Sequence, residues 1–235
     1  MSTCITKKVI INGDGKDIIL DGLDFTGDGY LEIRKAASVI LRNCRVYGLN
    51  APNSRNYWLK INGDIPVRIQ IEHCYFGKNP AKVYNLFEMN AALMDGSGIT
   101  DNYFTAGCCS HNAVNIYGAD DEATIHVDRN IFEESAGTIC ISVKKAPVCS
   151  IEICGNRVDA NKQDKSEMWY GLCCIQPFAT ETETFANMTV ILDGNELPCE
   201  QIIYGYSGSN DTRLDETSAP TVTIDGEPAS LTVYH

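Results

Sequence analysis

A six-residue motif recurs from one end of this chain to the other. It consists of an apolar residue, any residue, a turn residue, a position that is Asn or Cys in most copies, any residue, and an aromatic or aliphatic residue. The copies begin at Leu20, Leu41, Ile71, Ile99, Val127, Ile153, Leu192 and, in degenerate form, Ile224. The fourth positions of successive copies are 21 to 39 residues apart. Such self-similarity predicts a repeat array.

Short alternating runs rich in β-branched residues surround the motif. One run precedes each copy, as at residues 67–71, and another lies between copies, as at residues 138–143. Alternation of this kind is typical of strands, and no long helical stripe accompanies it. We therefore predict an all-β chain folded as a right-handed parallel β-helix (β-solenoid) of about seven to eight coils, the handedness following from the bias of parallel crossovers.

The predicted organisation is a single domain over residues 1–235. Residues 1–17 form a short N-terminal cap of strand and turn, and irregular loops occupy residues 159–168, 179–188 and 205–220. A cap this short leaves an end of the solenoid to be covered by another subunit.

Each motif position has a predicted role. The third position favours residue types that tolerate a left-handed backbone. The fourth position is expected to form a buried hydrogen-bonded ladder between coils, through Asn102, Asn130, Asn156 and Asn195. The sixth position is expected to stack rings inside the tube, through Phe25, Phe76, Phe104 and Phe132.

These repeats resemble the coils of the right-handed parallel β-helix superfamily of pectate-lyase-like proteins, over roughly residues 10 to 230. The resemblance implies an architecture and leaves the activity open. That superfamily includes lyases, hydrolases, epimerases, phage tailspikes and structural modules without catalysis.

Composition narrows the classes of partner and compartment. The net charge of −12 and pI near 4.7 disfavour nucleic acid as a partner. No stretch is long and apolar enough to predict a membrane span, and the N-terminal segment has no signal-peptide pattern. Eleven cysteines, several within repeats, are typical of buried free thiols. We expect synthesis in a reducing cytoplasm, as for virion components released at lysis.

The catalytic candidates are weak. Asp120 and Asp121 resemble the adjacent acids of the pectin hydrolases in this superfamily, but the Gly-His-Gly segment that accompanies those acids is missing. An acidic solvated turn is the favoured interpretation. The Cys108-Cys109-Ser110-His111 cluster has no second ligand pair, so we predict no metal and no cofactor.

Two aromatic pairs, Tyr57-Trp58 and Trp169-Tyr170, each follow a polar insert. Exposed rings there would stack on sugars or anchor a protein partner. Alternatively, the same rings cover the apolar edge of a lengthened coil. The sequence leaves both interpretations open.

The favoured functional hypothesis is a non-catalytic structural or binding protein, associated with a virion as a phage decoration, fibre or tailspike-like component. Its expected partners are other assembly subunits, including its own copies with a trimer as one option, and surface glycans. The alternative is a small polysaccharide lyase or glycoside hydrolase that uses Asp120 and Asp121.

Overall fold

The computed structural model is all-β and describes most of the first two thirds of the chain, with shorter pieces beyond. The described residues are 2–50, 57–79, 83–109, 112–133, 137–141, 148–159, 172–175, 185, 187–196, 202–204, 219–229 and 232–233. Their strands form three sheets.

The first sheet contains seven strands of the described residues. They are β1 (Thr3–Ile5), β4 (Leu23–Gly27), β7 (Arg45–Leu49), β10 (Tyr75–Phe76), β13 (Tyr103–Phe104), β16 (Ile131–Glu133) and β19 (Arg157–Asp159).

The second sheet contains nine described strands. They are β2 (Val9–Asn12), β5 (Leu31–Arg34), β8 (Tyr57–Asn62), β11 (Asn85–Met89), β14 (Asn112–Ile116), β17 (Gly137–Ile141), β20 (Cys173–Ile175), β22 (Ile202–Tyr204) and β25 (Thr232–Val233).

The third sheet also contains nine described strands. They are β3 (Asp17–Asp21), β6 (Ser38–Arg42), β9 (Arg68–Glu72), β12 (Ser97–Thr100), β15 (Thr124–Asp128), β18 (Cys149–Cys154), β21 (Met188–Asp193), β23 (Thr221–Ile224) and β24 (Glu227–Pro228).

The chain visits the three sheets in turn over its first nineteen strands, so that each strand pairs with the strand three places further along. We call each set of three consecutive strands a repeat. The pairing between repeats is parallel, and the final β23–β24 pair is antiparallel. This order confirms the all-β prediction and is compatible with the predicted solenoid.

The segment predicted as an N-terminal cap belongs to the sheets. Within residues 1–17, β1 pairs with β4 and β2 pairs with β5, both in parallel. This segment therefore supplies the first strands of the first and second sheets. The predicted loops at 159–168, 179–188 and 205–220 lie largely outside the described residues.

A column of aromatic rings fills the interior beneath the first sheet. Phe25, Phe76, Phe104 and Phe132 are all buried, because the sixth motif position points inward in these copies. The ring centroids of Phe104 lie 4.7 Å from those of Phe76 and of Phe132, with the planes nearly parallel. Val46 occupies the same column between Phe25 and Phe76. Removing a buried ring of this kind costs about 3–5 kcal/mol of stability.

Buried asparagines connect the turns between the third and first sheets. Asn130 Oδ1 accepts the backbone N–H of Asn102 at 3.0 Å, while Asn130 Nδ2 donates to the carbonyl of Ile99 at 2.8 Å. Asn156 accepts the N–H of Asn130 in the same way, and Asn195 accepts that of Asn156. Each amide therefore satisfies backbone groups that the turn takes out of the sheets.

The residue before this column has a left-handed backbone in every described copy. Glycine occupies it in some copies, as at Gly155 (φ 62°), but His73 (φ 54°) and Arg129 (φ 55°) adopt the same conformation. Non-glycine residues rarely hold a positive φ without support from surrounding structure. The hydrogen bonds of the asparagine column provide that support.

We predict that Asn130→Leu lowers the free energy of unfolding by about 1–3 kcal/mol, because it leaves buried backbone groups without partners. Urea denaturation of the purified protein measures the change. Asn115→Leu is the matched control, since Asn115 is also buried but neither polar atom of its amide has a hydrogen-bond partner among the described residues. The Asn115→Leu change should leave the free energy of unfolding unchanged or raise it. Equal losses in the two variants would show that the column contributes nothing specific.

Candidate functional site

Trp58 is part of the core. Its side chain is 1% exposed, and its ring packs against Phe25 at 5.1 Å and Phe76 at 5.8 Å between centroids. The indole Nε1–H donates to the carbonyl of Gly29 at 3.1 Å, so the polar end of the ring is also satisfied. The interpretation of Trp58 as an exposed binding residue is therefore wrong, since its ring fills the interior between the first and second sheets.

The other predicted aromatic residues give little support for a site. Tyr57 is half-buried, and its ring lies 5.1 Å from the ammonium group of Lys60, which pairs with Glu88 at 2.6 Å. Trp169 and Tyr170 lie outside the described residues.

The outer face of the second sheet is charged, but its charges neutralise one another. Glu32 accepts from Lys8 at 2.8 Å and from Arg34 at 2.6 Å, and Glu88 is held by Lys60. Two of these pairs, Lys8–Glu32 and Lys60–Glu88, join successive repeats and are suited to holding them together, while Arg34 pairs with Glu32 on its own strand.

The structure does not bring Asp120 and Asp121 into a catalytic arrangement with a cation. Asp120 is half-buried and Asp121 is exposed, in a turn that the N–H of Ala123 closes by donating to the carbonyl of Asp120. Within the described part of the chain neither carboxylate forms an ion pair. The described residues also contain no group of three or more His, Cys, Asp or Glu side chains placed to hold a metal.

Two exposed tyrosines and a half-buried one on the outer face of the first sheet form a better candidate. Tyr75 and Tyr103 pair in register on β10 and β13, with ring centroids 6.0 Å apart and planes 9° from parallel. Tyr75 is 41% exposed, and Tyr47 on the preceding repeat is 36% exposed. We call Tyr47, Tyr75 and Tyr103 the tyrosine patch.

Gly77 makes room for two of these rings. A Cβ atom at this position would lie 2.8 Å from Cε1 of Tyr75, closer than real contacts allow, and 3.0 Å from Cβ of Tyr47, which is tighter than most real contacts. The missing side chain therefore lets the Tyr75 ring lie across the strand toward Tyr47.

Polar groups border the tyrosine patch. The hydroxyl of Tyr103 donates to the carboxylate of Glu133, and the guanidinium carbon of Arg45 lies 5.7 Å from the centroid of the Tyr47 ring. Arg45 also pairs with Asp24. Flat amphipathic rings beside charged groups are suited to stacking on sugar rings and hydrogen bonding to their hydroxyls.

The sequence contained a signal for the patch that the motif analysis missed. Tyr75-Phe76 and Tyr103-Phe104 occupy the fifth and sixth motif positions in adjacent copies. Because side chains alternate across a strand, an inward phenylalanine places the preceding tyrosine outside.

A histidine between two carboxylates lies on the outer face of the third sheet. His126 Nδ1 is 3.2 Å from a carboxylate oxygen of Glu152 and 3.6 Å from one of Asp128. Burial raises the pKa of Asp128. A histidine paired with a carboxyl group of raised pKa has the components of acid–base chemistry, so this cluster is the second candidate site.

Comparison with protein-family models, with curated proteins and with solved structures finds no match to this chain. Among the described residues there is also no helix with the length and apolar character needed to cross a membrane.

The ion pairs predict a dependence of stability on pH. The hydrogen bond from Lys8, with that from Arg34, lowers the pKa of Glu32 to about 2, and Arg45, with Ser2, lowers the pKa of Asp24 to about 2. Unfolded carboxyl groups titrate near pH 4, so between about pH 5 and 2 the unfolded chain binds more protons. Acidification through this window should therefore destabilise the fold.

Melting temperatures recorded from pH 7 to pH 2.5 measure this loss. Glu32→Gln should be less stable than the unmodified protein at pH 7 and should lose less stability on acidification, because one depressed carboxyl group is gone. If the melting temperature falls equally in both proteins on acidification, the Glu32 ion pairs contribute no net stability.

Proposed function

We propose that this chain is a right-handed parallel β-helix that acts by binding, as a virion-associated protein of the decoration, fibre or tailspike type, and that the tyrosine patch is its glycan-binding surface. The order of strands in threes supports the β-helix, and the bias of parallel crossovers supports the right hand. Resemblance of the repeats to those of tailspikes supports the virion assignment.

The observation that carries the binding role is the register of Tyr75 and Tyr103. Two aromatic side chains on adjacent strands, with ring centroids 6.0 Å apart, present a repeated apolar surface on a rigid support. A rigid platform loses little entropy on binding, which suits recognition of an extended, repetitive ligand such as a polysaccharide.

An enzyme of the polysaccharide lyase or glycoside hydrolase type is the alternative. The contacts of His126 with Asp128 and Glu152 favour it, because such enzymes need an acid and a base beside the glycosidic bond. Asp120 and Asp121 support it less, since no described cation pairs with either.

Variants of the tyrosine patch test the binding role. A glycan array of neutral and acidic polysaccharide fragments identifies a ligand, and isothermal titration then measures its affinity. Tyr75→Ala and Tyr103→Ala should each weaken binding about tenfold or more, since stacking on an aromatic ring is lost, with little change in melting temperature. Gly77→Ala should weaken binding with both tyrosines still present, because the new Cβ displaces the Tyr75 ring.

Tyr84→Ala is the matched control, because Tyr84 is 44% exposed and lies outside the patch. Binding that is unaffected by both patch variants would refute the assignment of the surface. Release of reducing ends or unsaturated products, lost in His126→Ala or Asp121→Ala, would instead establish the enzyme.

The assembly role predicts a homo-oligomer. Strands β1, β2 and β3 are edge strands of the three sheets, and the exposed Ile10 and Ile19 lie on two of them. Covering such edges with another subunit satisfies their free backbone groups. Size-exclusion chromatography with light scattering should give a mass that is a multiple of 25.8 kDa. A monomer at high protein concentration would contradict self-assembly while leaving the glycan test unaffected.

A further inference from the structure

A groove of about 520 Å³ lies on the outer face of the third sheet, away from the tyrosine patch. Its floor comes from two columns of outward-facing residues on β3, β6 and β9. Asp17, Ser38 and Arg68 form one column, and Ile40 and Gln70 belong to the other. Ile65, Pro66 and Met94 form a wall beside them. We call this the isoleucine groove.

Apolar side chains in and beside the groove remain in contact with water. In the groove Ile65 is 45% exposed and Ile40 is half-buried. Ile19, which pairs with Ile40 on the adjacent strand, lies beside the groove and is 57% exposed. Exposed isoleucines grouped around a concavity mark a ligand surface more often than scattered single residues do. The volume lies within the usual range of small-molecule sites, and the lining combines apolar side chains with polar ones.

Arg68 differs from the other arginines whose contacts the structure describes. Four of them pair with a carboxylate: Arg34 with Glu32, Arg42 with Asp21, Arg45 with Asp24 and Arg129 with Asp101. Arg68 donates through Nε to the backbone carbonyl of Asp95 at 3.0 Å and has no carboxylate partner among the described residues.

No described carboxylate at the groove forms an ion pair with the guanidinium of Arg68. The carboxylate of Asp17 accepts from the hydroxyl of Ser38 at 2.7 Å, on strands that place it two steps from Arg68. In a protein with a net charge of −12, an arginine without a carboxylate partner is a locally favourable position for an anion.

We propose that the isoleucine groove binds an amphiphilic carboxylate, with the carboxylate on the guanidinium of Arg68 and an aliphatic body over Ile40 and Ile65. A guanidinium binds a carboxylate through two parallel hydrogen bonds, which fixes the orientation of the ligand. The aliphatic body removes the exposed isoleucine surface from water. This site is independent of the glycan-binding role, since it lies on another sheet and uses different residues.

NMR titration of ¹⁵N-labelled protein with octanoate, below its micelle concentration, tests the proposal. Saturable shifts are expected at the amides of Ile40, Ile65 and Gln70. Octanamide keeps the chain and removes the charge, while acetate keeps the charge and removes the chain. Octanamide and acetate should each bind about tenfold or more weakly than octanoate, because octanamide lacks the charge that Arg68 binds and acetate lacks the aliphatic chain.

Arg68→Gln should weaken octanoate binding by a similar factor with an unchanged melting temperature, because the side chain is exposed. Arg42→Gln is the matched control, since Arg42 faces outward on the same sheet but is already paired with Asp21. If Arg68→Gln does not fold, Ile65→Ser serves in its place and should also weaken octanoate binding. Shifts that do not saturate, equal affinity for octanamide, or equal loss in Arg42→Gln would each overturn the proposal.

Discussion

Side-chain amides in the turns between the third and first sheets satisfy backbone groups of the neighbouring repeats. Three of these amides belong to Asn102, Asn130 and Asn156. Each accepts a backbone N–H from the preceding repeat and donates to one of the carbonyls of that repeat. Without these bonds, the left-handed residue in each turn would leave buried polar groups unpaired. This column therefore helps to set the register between the repeats that it connects.

Register in the turn also determines what lies inside and outside the first sheet. In β10 and β13 a two-residue strand places phenylalanine inward and tyrosine outward, so the core rings and the proposed ligand surface follow the same strand register. A shift of one residue would exchange the two faces. The stack of Phe76 and Phe104 thus fixes the strands that carry Tyr75 and Tyr103.

Charge is distributed unevenly between the outer faces. On the second sheet Glu32 and Glu88 are held by cations from their own or neighbouring strands, and such partly exposed networks mainly add to the cohesion of the repeats. On the third sheet Arg68 has no carboxylate partner among the described residues and lies beside exposed isoleucines. Surface groups that are left unsatisfied by the fold are the ones available to a ligand.

The sequence by itself determined the strands, their parallel repetition and the alignment of the asparagines and phenylalanines, as at Asn130 and Phe104. Those features follow from a local motif, and stacking identical motifs brings the same position of each copy together. The burial of Trp58 was decided only by the tertiary structure, because it requires rings from the first sheet and the backbone carbonyl of Gly29. The isoleucine groove likewise exists only where residues from several repeats, such as Ile40 and Ile65, meet in space, and no local pattern encodes that meeting.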